Sequence, residues 1–339
     1  MFMRRLYHPE ILQWNRKHKQ YFEGWYFKSV SADQKSAVSV IPGISVQEGD
    51  RHCFIQLVDA VNQKSHYFKY DFDEFWASDT DFDVKIGRSS FNLKQMSLDI
   101  DQDGTVIVGN LSFENIIPWP VTLFSPGVMG WYSFVPLLEC YHGVLSFNHR
   151  LTGQLNIDGQ ELDFGGGKGY CEKDWGTSMP ESWIWMQTNH FEEAEASFFG
   201  SIATIPWRGR MFIGALHGFF HEGTVHRFAT YTGAKVSGLM IDGDTVEYAV
   251  YDNRKRIEVK GTRAGGVTLM APSFGEMSTK IQETLASVVE IRFFIDGKLE
   301  FEGAGTNAGL EFVGNIENLS RGLTRKENKQ NYPMENNKK

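Results

Sequence analysis

The chain reads as a mainly β protein made of two consecutive antiparallel β-barrels or half-barrels packed together. Three observations carry this reading. The 339 residues are 14% aromatic and hold 34 glycines against 10 prolines, a balance that favours strands and tight turns over helical bundles. Runs of β-branched and aromatic residues alternate with Asp/Gly turn pairs along most of the length. Local matches also recur at a nearly constant spacing of 158 to 160 residues.

The predicted strands run in order from AVSVI at 37–41, HCFIQLVDA at 52–60 and SHYFKYDF at 65–72 to TVIVGNLSF at 105–113 and GVLSFNHRL at 143–151. RMFIGALHGFF at 210–220, TVEYAVYD at 245–252 and RIEVKG at 256–261 complete the series. Gly49-Asp50, Asp103-Gly104, Asp158-Gly159, Asp242-Gly243 and Asp296-Gly297 suit the tight turns of hairpins. Only KIQETLASVVEIRFF carries a weak helical periodicity, with β-branched residues competing.

The repeat sets the domain organisation. Glu23-Gly24-Trp25-Tyr26-Phe27 matches Glu181-Ser182-Trp183-Ile184-Trp185, GDRHCFIQLV matches RGRMFIGALH, and His66-Tyr67-Phe68 matches His226-Arg227-Phe228. Each copy holds about 150 residues, the size of an up-and-down barrel. With DFGGG loosening the chain at 163–167, the reading is an N-terminal β domain at 1–164, a C-terminal β domain at 165–320 and a basic polar tail at 321–339.

Charge and cysteines narrow the function classes. The formal net charge is -8, yet the tail carries +4, leaving about -12 on the other 320 residues, which disfavours a nucleic-acid partner. Cys53, Cys140 and Cys171 are odd in number and widely spaced, which argues against a disulfide framework or a structural zinc site. Neither a secretory leader nor a run of ~20 apolar residues is visible, so the expected location is the cytoplasm, with room for transient contact with a membrane surface. No G-x-S-x-G, phosphate loop or dinucleotide fingerprint supports a hydrolase or nucleotide-dependent enzyme.

The chemistry concentrates in KGYCEKDWGTSMPESWIWMQTNHF at 168–191. On a strand, Tyr170, Glu172 and Asp174 share one face, and Cys171, Lys173 and Trp175 the other. Two neighbouring carboxylates raise one pKa and hold an acid protonated, although a surface pair beside Lys173 would look the same. Further on, Glu181, Trp183, Trp185, Gln187 and Asn189 alternate with Ser182, Ile184, Met186, Thr188 and His190. An indole pair running into two amides describes either a ligand-facing wall or a central strand with satisfied amides. His142 and His190 are candidate polar groups of a pocket; His217, four residues before His221, belongs with them rather than with a metal, since no helix or intervening glutamate is present. Trp25, with Glu23 and Tyr26, forms a second candidate cluster, or else plugs a barrel end beneath a basic stem.

HPE at 8–10, YFEGWYFK at 21–28, EKDWGTSMPESWIWMQTNHF at 172–191 and the stretch from APSFGEM to EGAGTNAGLEFVGNIENL resemble the tocopherol cyclase family over most of the chain. The corresponding family motifs read F-E-G-W-Y-F-R, E-K-N-W-G, F-P, W-x-W and Q-C-N. The resemblance implies lipocalin-like (calycin-like) β-barrel halves and a reaction in which a prenyl double bond is protonated and a phenol oxygen captures the cation, without redox cofactor or metal. It implies Glu172 as the acid, with Asp174, where the family carries asparagine, as a second catalytic candidate. Trp25, Trp175, Trp183 and Trp185 become cation-stabilising aromatics, and Gln187, Asn189 and His190 orienting groups. The expected ligand is a lipophilic small molecule, no cofactor is expected, and two further readings stay open: a carrier of a hydrophobic ligand, and an alkene hydratase.

Overall fold

The computed structural model describes residues 2–192, 195–207, 209–320 and 323; the basic tail read at 321–339 falls outside the described residues apart from Leu323. All five Asp/Gly pairs close hairpins, for example Gln95–Gln102 with Thr105–Ile117 and Lys298–Val313 with Glu276–Ile295. At three of them both central residues are left-handed: φ is 54° and 77° at Asp103-Gly104, 51° and 86° at Asp158-Gly159, and 50° and 81° at Asp296-Gly297. That backbone suits Gly and Asp and penalises other side chains. The weakly helical stretch at 280–294 is instead the body of the strand Glu276–Ile295, where β-branched residues and partners on both sides decide the conformation.

Two lipocalin-like antiparallel sheets result. The first runs Lys64–Asp71, Asp50–Asp59, Ala37–Gln47, Tyr21–Val30, Lys168–Gly176, Cys140–Ile157, Thr105–Ile117, Gln95–Gln102, and then three short strands. The second repeats the pattern with Thr224–Ala229, Arg210–His221, Ser197–Trp207, Trp183–Thr188, Lys298–Val313, Glu276–Ile295, Lys255–Thr262, Thr245–Tyr251 and Lys235–Asp242. In each, a four-strand meander is joined at its first strand by the last strand of the unit. Among the described residues the end strands of a sheet do not pair with each other, so both units are half-barrels. Each nevertheless wraps one apolar core, since Ile55 and Phe68 share a cluster with Ile86 and Leu111, and Phe219 and Phe228 share one with Val246 and Ile257.

Lys168–Gly176 pairs with Tyr21–Val30 and Cys140–Ile157, so it completes the first sheet. The boundary read at 164/165 therefore needs correction: DFGGG is a turn within the first unit, closed by Leu151 N–H donating to Gly167 O and Gly166 N–H donating to Leu151 O, and the sheets divide at 177–182.

A third core fills the seam between the sheets and includes Tyr26, Val30, Phe147, Tyr170, Trp183, Trp185 and Phe199. Alternation explains who goes where. On Tyr21–Val30, Tyr21, Trp25 and Phe27 turn into the first half-barrel, while Tyr26, Lys28 and Val30 turn to the seam. On Trp183–Thr188, Ile184 and Met186 enter the second half-barrel, and Trp183, Trp185 and Gln187 face back. Tyr26 thus meets Trp185 edge-on at 5.6 Å, and Lys28 Nζ donates to Gln187 Oε1 at 2.9 Å. The equivalent residues are Tyr26 and Trp185, 159 apart. The sequence match at 158 pairs Trp25 with Trp183, which point to opposite faces, because a one-residue slip inverts a strand.

Candidate active site

The seam encloses a cavity of about 440 Å³. Its walls are largely apolar, including Ile41, Met129, Leu138, Ala203, Leu269 and Ile281, and a few polar side chains enter it. Tyr26, His142, Glu172, Asp174, Trp183, Trp185, Glu283 and Glu311 all border this one space.

The strand Lys168–Gly176 brings Glu172 and Asp174 to it, and Cys140–Ile157, pairing His142 with Asp174, adds the imidazole. Asp174 Oδ1 accepts from His142 Nδ1–H at 2.8 Å, and His142 Nε2 lies 3.6 Å from Glu172 Oε2. The His142 ring stacks on Phe199, with centroids 5.2 Å apart and an 11° interplanar angle. Glu172 Oε2 also accepts from Tyr170 OH at 2.5 Å and from Trp185 Nε1–H at 3.1 Å. With these donors all on Oε2, a proton on Glu172 resides on Oε1.

Burial pushes the Glu172 carboxyl up to about 7; the His142 cation opposes that shift and the Asp174 carboxylate adds to it. Burial alone would lower His142, yet the Asp174 and Glu172 carboxylates outweigh it and raise the imidazole to about 9. Near neutral pH His142 is therefore an imidazolium, and Glu172 keeps its proton well above the usual carboxylate range. Asp174, with 26% of its side chain exposed, is the outermost of the three groups. One atom from each of the three residues lies within 4.8 Å of the others, a donor set that a divalent cation could also take.

The second sheet supplies a further acidic group. Glu283 Oε1 accepts from Tyr26 OH at 2.6 Å, and Glu311 Oε2 accepts from Trp183 Nε1–H at 2.6 Å. Burial raises Glu283 to about 7, against the Tyr26 and Ser39 hydroxyls and Lys28, and raises Glu311 well above its usual value, with the Glu283 carboxylate adding to the effect. Glu172 and Glu311 hold matching places, since Glu172 is the ladder partner of Tyr26 and Glu311 that of Trp185.

Of the residues singled out in the sequence, Glu172, Asp174, Tyr26, His142, Trp183 and Trp185 meet at the cavity, and the others do not. Glu23, Trp25 and Trp175 lie on the opposite faces of their strands. There Glu23 pairs with Lys173 at 2.5 Å, and Lys173 Nζ sits 4.4 Å from the Trp25 ring and 5.2 Å from Trp175. Alternation forces this, because Glu172 and Trp175 differ by an odd number of positions. Gln187 binds Lys28, Asn189 donates to Asn148 Oδ1 and Gly169 O, and His190 is buried beside them. His217 is in the second half-barrel with Nε2 3.0 Å from Tyr248 OH. These four are buried outside the cavity, with Gln187 Nε2, His190 Nδ1 and His217 Nδ1 unpartnered among the described residues, a correction to the pocket role read for them.

Sequence reading missed Glu283 and Glu311. The signal for Glu283 was present: Ile281, Glu283 and Leu285 share one buried face of a strand, an acid in an apolar phase, but helical periodicity conceals that phase.

The imidazolium makes a prediction. His142→Phe is expected to raise the pH at which Glu172 ionises by roughly one unit or more, because an opposing positive charge is removed. Infrared difference titration of the carboxylic acid band, with Glu172→Gln assigning the signal, measures it; an unmoved band would separate His142 from Glu172 electrostatically.

A family model described as tocopherol cyclase-like matches residues 110–314. A probable chloroplastic tocopherol cyclase of Oryza sativa subsp. japonica is 29% identical over 121 residues, 33% of this chain and 25% of that protein. The chloroplastic tocopherol cyclase of Zea mays is 26% identical over 153 residues, 42% of this chain and 31% of that protein. The match thus spans a third or less of either plant protein. Among solved structures, CghA with Sch210972 superposes with a TM-score of 0.56 at 12% identity, covering 87% of this chain and 89% of that one. CghA alone gives 0.54 at 12% identity, over 88% and 89%. At that identity the likeness establishes the fold.

Proposed function

Since this chain belongs to the tocopherol cyclase-like family, we propose that it closes a ring on a lipophilic isoprenoid phenol of the prenylated-quinol kind by adding a proton to its alkene. What supports the reading most is the meeting, at one apolar cavity, of a buried carboxyl that burial keeps protonated well above the usual carboxylate range with two indoles and a phenol ring. Glu172 Oε1 delivers the proton, a step worth roughly 10²- to 10⁴-fold for a well-placed acid. The tertiary cation then lies among Trp183, Trp185 and Tyr26, whose ring faces stabilise it by up to ~2 kcal/mol each once water is excluded. The apolar walls keep water from capturing the cation before the internal hydroxyl does. His142 and Asp174 return a proton to Glu172 after each turnover. Every step is a proton transfer or a bond closure within the substrate.

Incubation of the full chain with a prenylated quinol is expected to give a chromanol of unchanged mass. In deuterium oxide that product carries one deuterium on carbon, and dialysis against a chelator leaves the rate unchanged. A product heavier by one water would make the protein a hydratase, and saturable tryptophan quenching without any product would make it a carrier. Loss of turnover on chelation would turn attention to a cation held by His142, Glu172 and Asp174.

A further inference from the structure

Ring closure needs a second group that the acid does not provide. Proton addition to the alkene is balanced only when the hydroxyl that forms the new C–O bond gives up its own proton. Glu172 has just lost its proton, but it serves the alkene end of the substrate. The second sheet places another carboxyl in the same cavity.

We propose that Glu283, steered by Tyr26, recognises the hydroxyl of the ligand and accepts its proton as the ring closes. Glu283 has no solvent exposure and borders the cavity. Its Oε1 accepts from Tyr26 OH, while its Oε2, equally buried, makes no hydrogen bond of good geometry with the described residues, although the Ser39 hydroxyl lies close enough to favour the carboxylate. A buried carboxylate oxygen without a well-aligned donor is costly, and a ligand O–H supplies one. The Tyr26 bond fixes the carboxyl plane and directs Oε2.

The groups around Glu283 favour a base there. From Tyr21–Val30 it faces Tyr26 and Lys28, from Ala37–Gln47 the Ser39 hydroxyl, and from the neighbouring strand Lys298–Val313 it meets Glu311. Lys28, itself lowered to about 7 by burial, draws Glu283 toward the charged form, and burial together with the neighbouring carboxylates raises Glu311. Both acids are raised by burial, but Glu283 alone has a lysine and two hydroxyls drawing it back toward the carboxylate, whereas the Glu283 carboxylate pushes Glu311 further toward the acid.

In the complete step the Glu172 O–H bond breaks and a C–H bond forms at the alkene. A hydroxyl lone pair forms the C–O bond at the tertiary carbon, the hydroxyl O–H breaks, and its proton goes to Glu283. The substrate keeps its composition while the two carboxyls exchange states, and solvent resets them. The acceptor role rests on the cyclase reading; recognition of the hydroxyl does not.

Two measurements on the full chain separate these claims. The first compares binding of a phenol carrying a saturated isoprenoid chain with binding of its methyl ether, by tryptophan quenching between pH 5.5 and 8.5. The wild-type chain is expected to prefer the phenol about tenfold or more, with the preference growing as pH rises through the ionisation of Glu283. Glu283→Gln is expected to reduce it to about twofold or less and to flatten its pH dependence. Tyr26→Phe is expected to move its midpoint upward, since the Tyr26 bond stabilises the carboxylate. The second follows turnover of the prenylated quinol, where Glu283→Gln is expected to abolish the acidic limb of the pH–rate profile and leave the alkaline limb in place. Wild-type preference and pH dependence in Glu283→Gln would overturn the assignment. A phenol preference lost in Glu283→Gln without turnover by any chain would uphold recognition and sink the cyclase reading. An unchanged acidic limb in an active Glu283→Gln would remove the acceptor role.

Discussion

Replacing Lys173 by methionine is expected to destabilise the fold by about 3–5 kcal/mol, the range for removing one partner of a buried ion pair. Lys173 and Glu23 are both without exposure and are fully engaged. Glu23 also accepts from Gln13 N–H at 2.7 Å, Trp14 N–H at 2.9 Å and Tyr21 OH at 2.8 Å. Lys173 donates to Pro9 O at 2.8 Å and Ile11 O at 2.6 Å. This clasp ties residues 9–14 across the end of the first half-barrel, and methionine would leave a buried carboxylate without its counter-ion and the Pro9 and Ile11 carbonyls without the ammonium donor. By contrast, the exposed pair Arg254–Asp296, with side chains 71% and 57% accessible, should contribute little because solvent screens it, so Arg254→Met should unfold like wild type. Urea unfolding of both variants checks the contrast, together with limited proteolysis, which should cut near residues 8–14 in Lys173→Met first. A Lys173→Met chain as stable as wild type would show that the pair is dispensable.

Glu172→Gln is expected to lower turnover by roughly 10²- to 10⁴-fold while substrate affinity stays within a few-fold, since the amide keeps an oxygen for Tyr170 and Trp185 but cannot deliver the proton. The same change should stabilise the protein above neutrality. A carboxyl raised in the folded state to about 7 binds its proton more tightly there than in the unfolded chain, so it favours folding at low pH. That advantage is lost as pH rises from about 4.5 to about 7, leaving a cost of about 3 kcal/mol at pH 8 that glutamine does not incur. Melting curves of Glu172→Gln and wild type should therefore diverge at pH 8 and converge near pH 4.5. Undiminished turnover would reject Glu172 as the acid.

The two predictions act on alternate residues of one strand, and this much was legible in the sequence. E-K-D-W reads as carboxylates on one face and Lys173 with Trp175 on the other, which is how the clasp and the cavity share Lys168–Gly176. The hairpins were legible too, because Asp-Gly pairs carry their backbone preference locally. Which face turned inward was not. Tyr21–Val30 and Trp183–Thr188 are apolar on both sides, so the pattern does not distinguish a half-barrel interior from the seam, and the nearest sequence match fell one residue out of phase. The same limit hid Glu283, whose partner Tyr26 is 257 residues away in sequence.

At the centre of the seam, corresponding positions touch but are chemically unlike: tyrosine against tryptophan, lysine against glutamine. Two identical subunits related by a two-fold axis would present the same wall twice. Joined in one chain, the halves differ, and on the cyclase reading a flat tertiary cation between them would meet different groups on its two sides, with the hydroxyl held on one. Closure of the ring from that side alone would create a single configuration at the new stereocentre, and the unlike walls would then set which one.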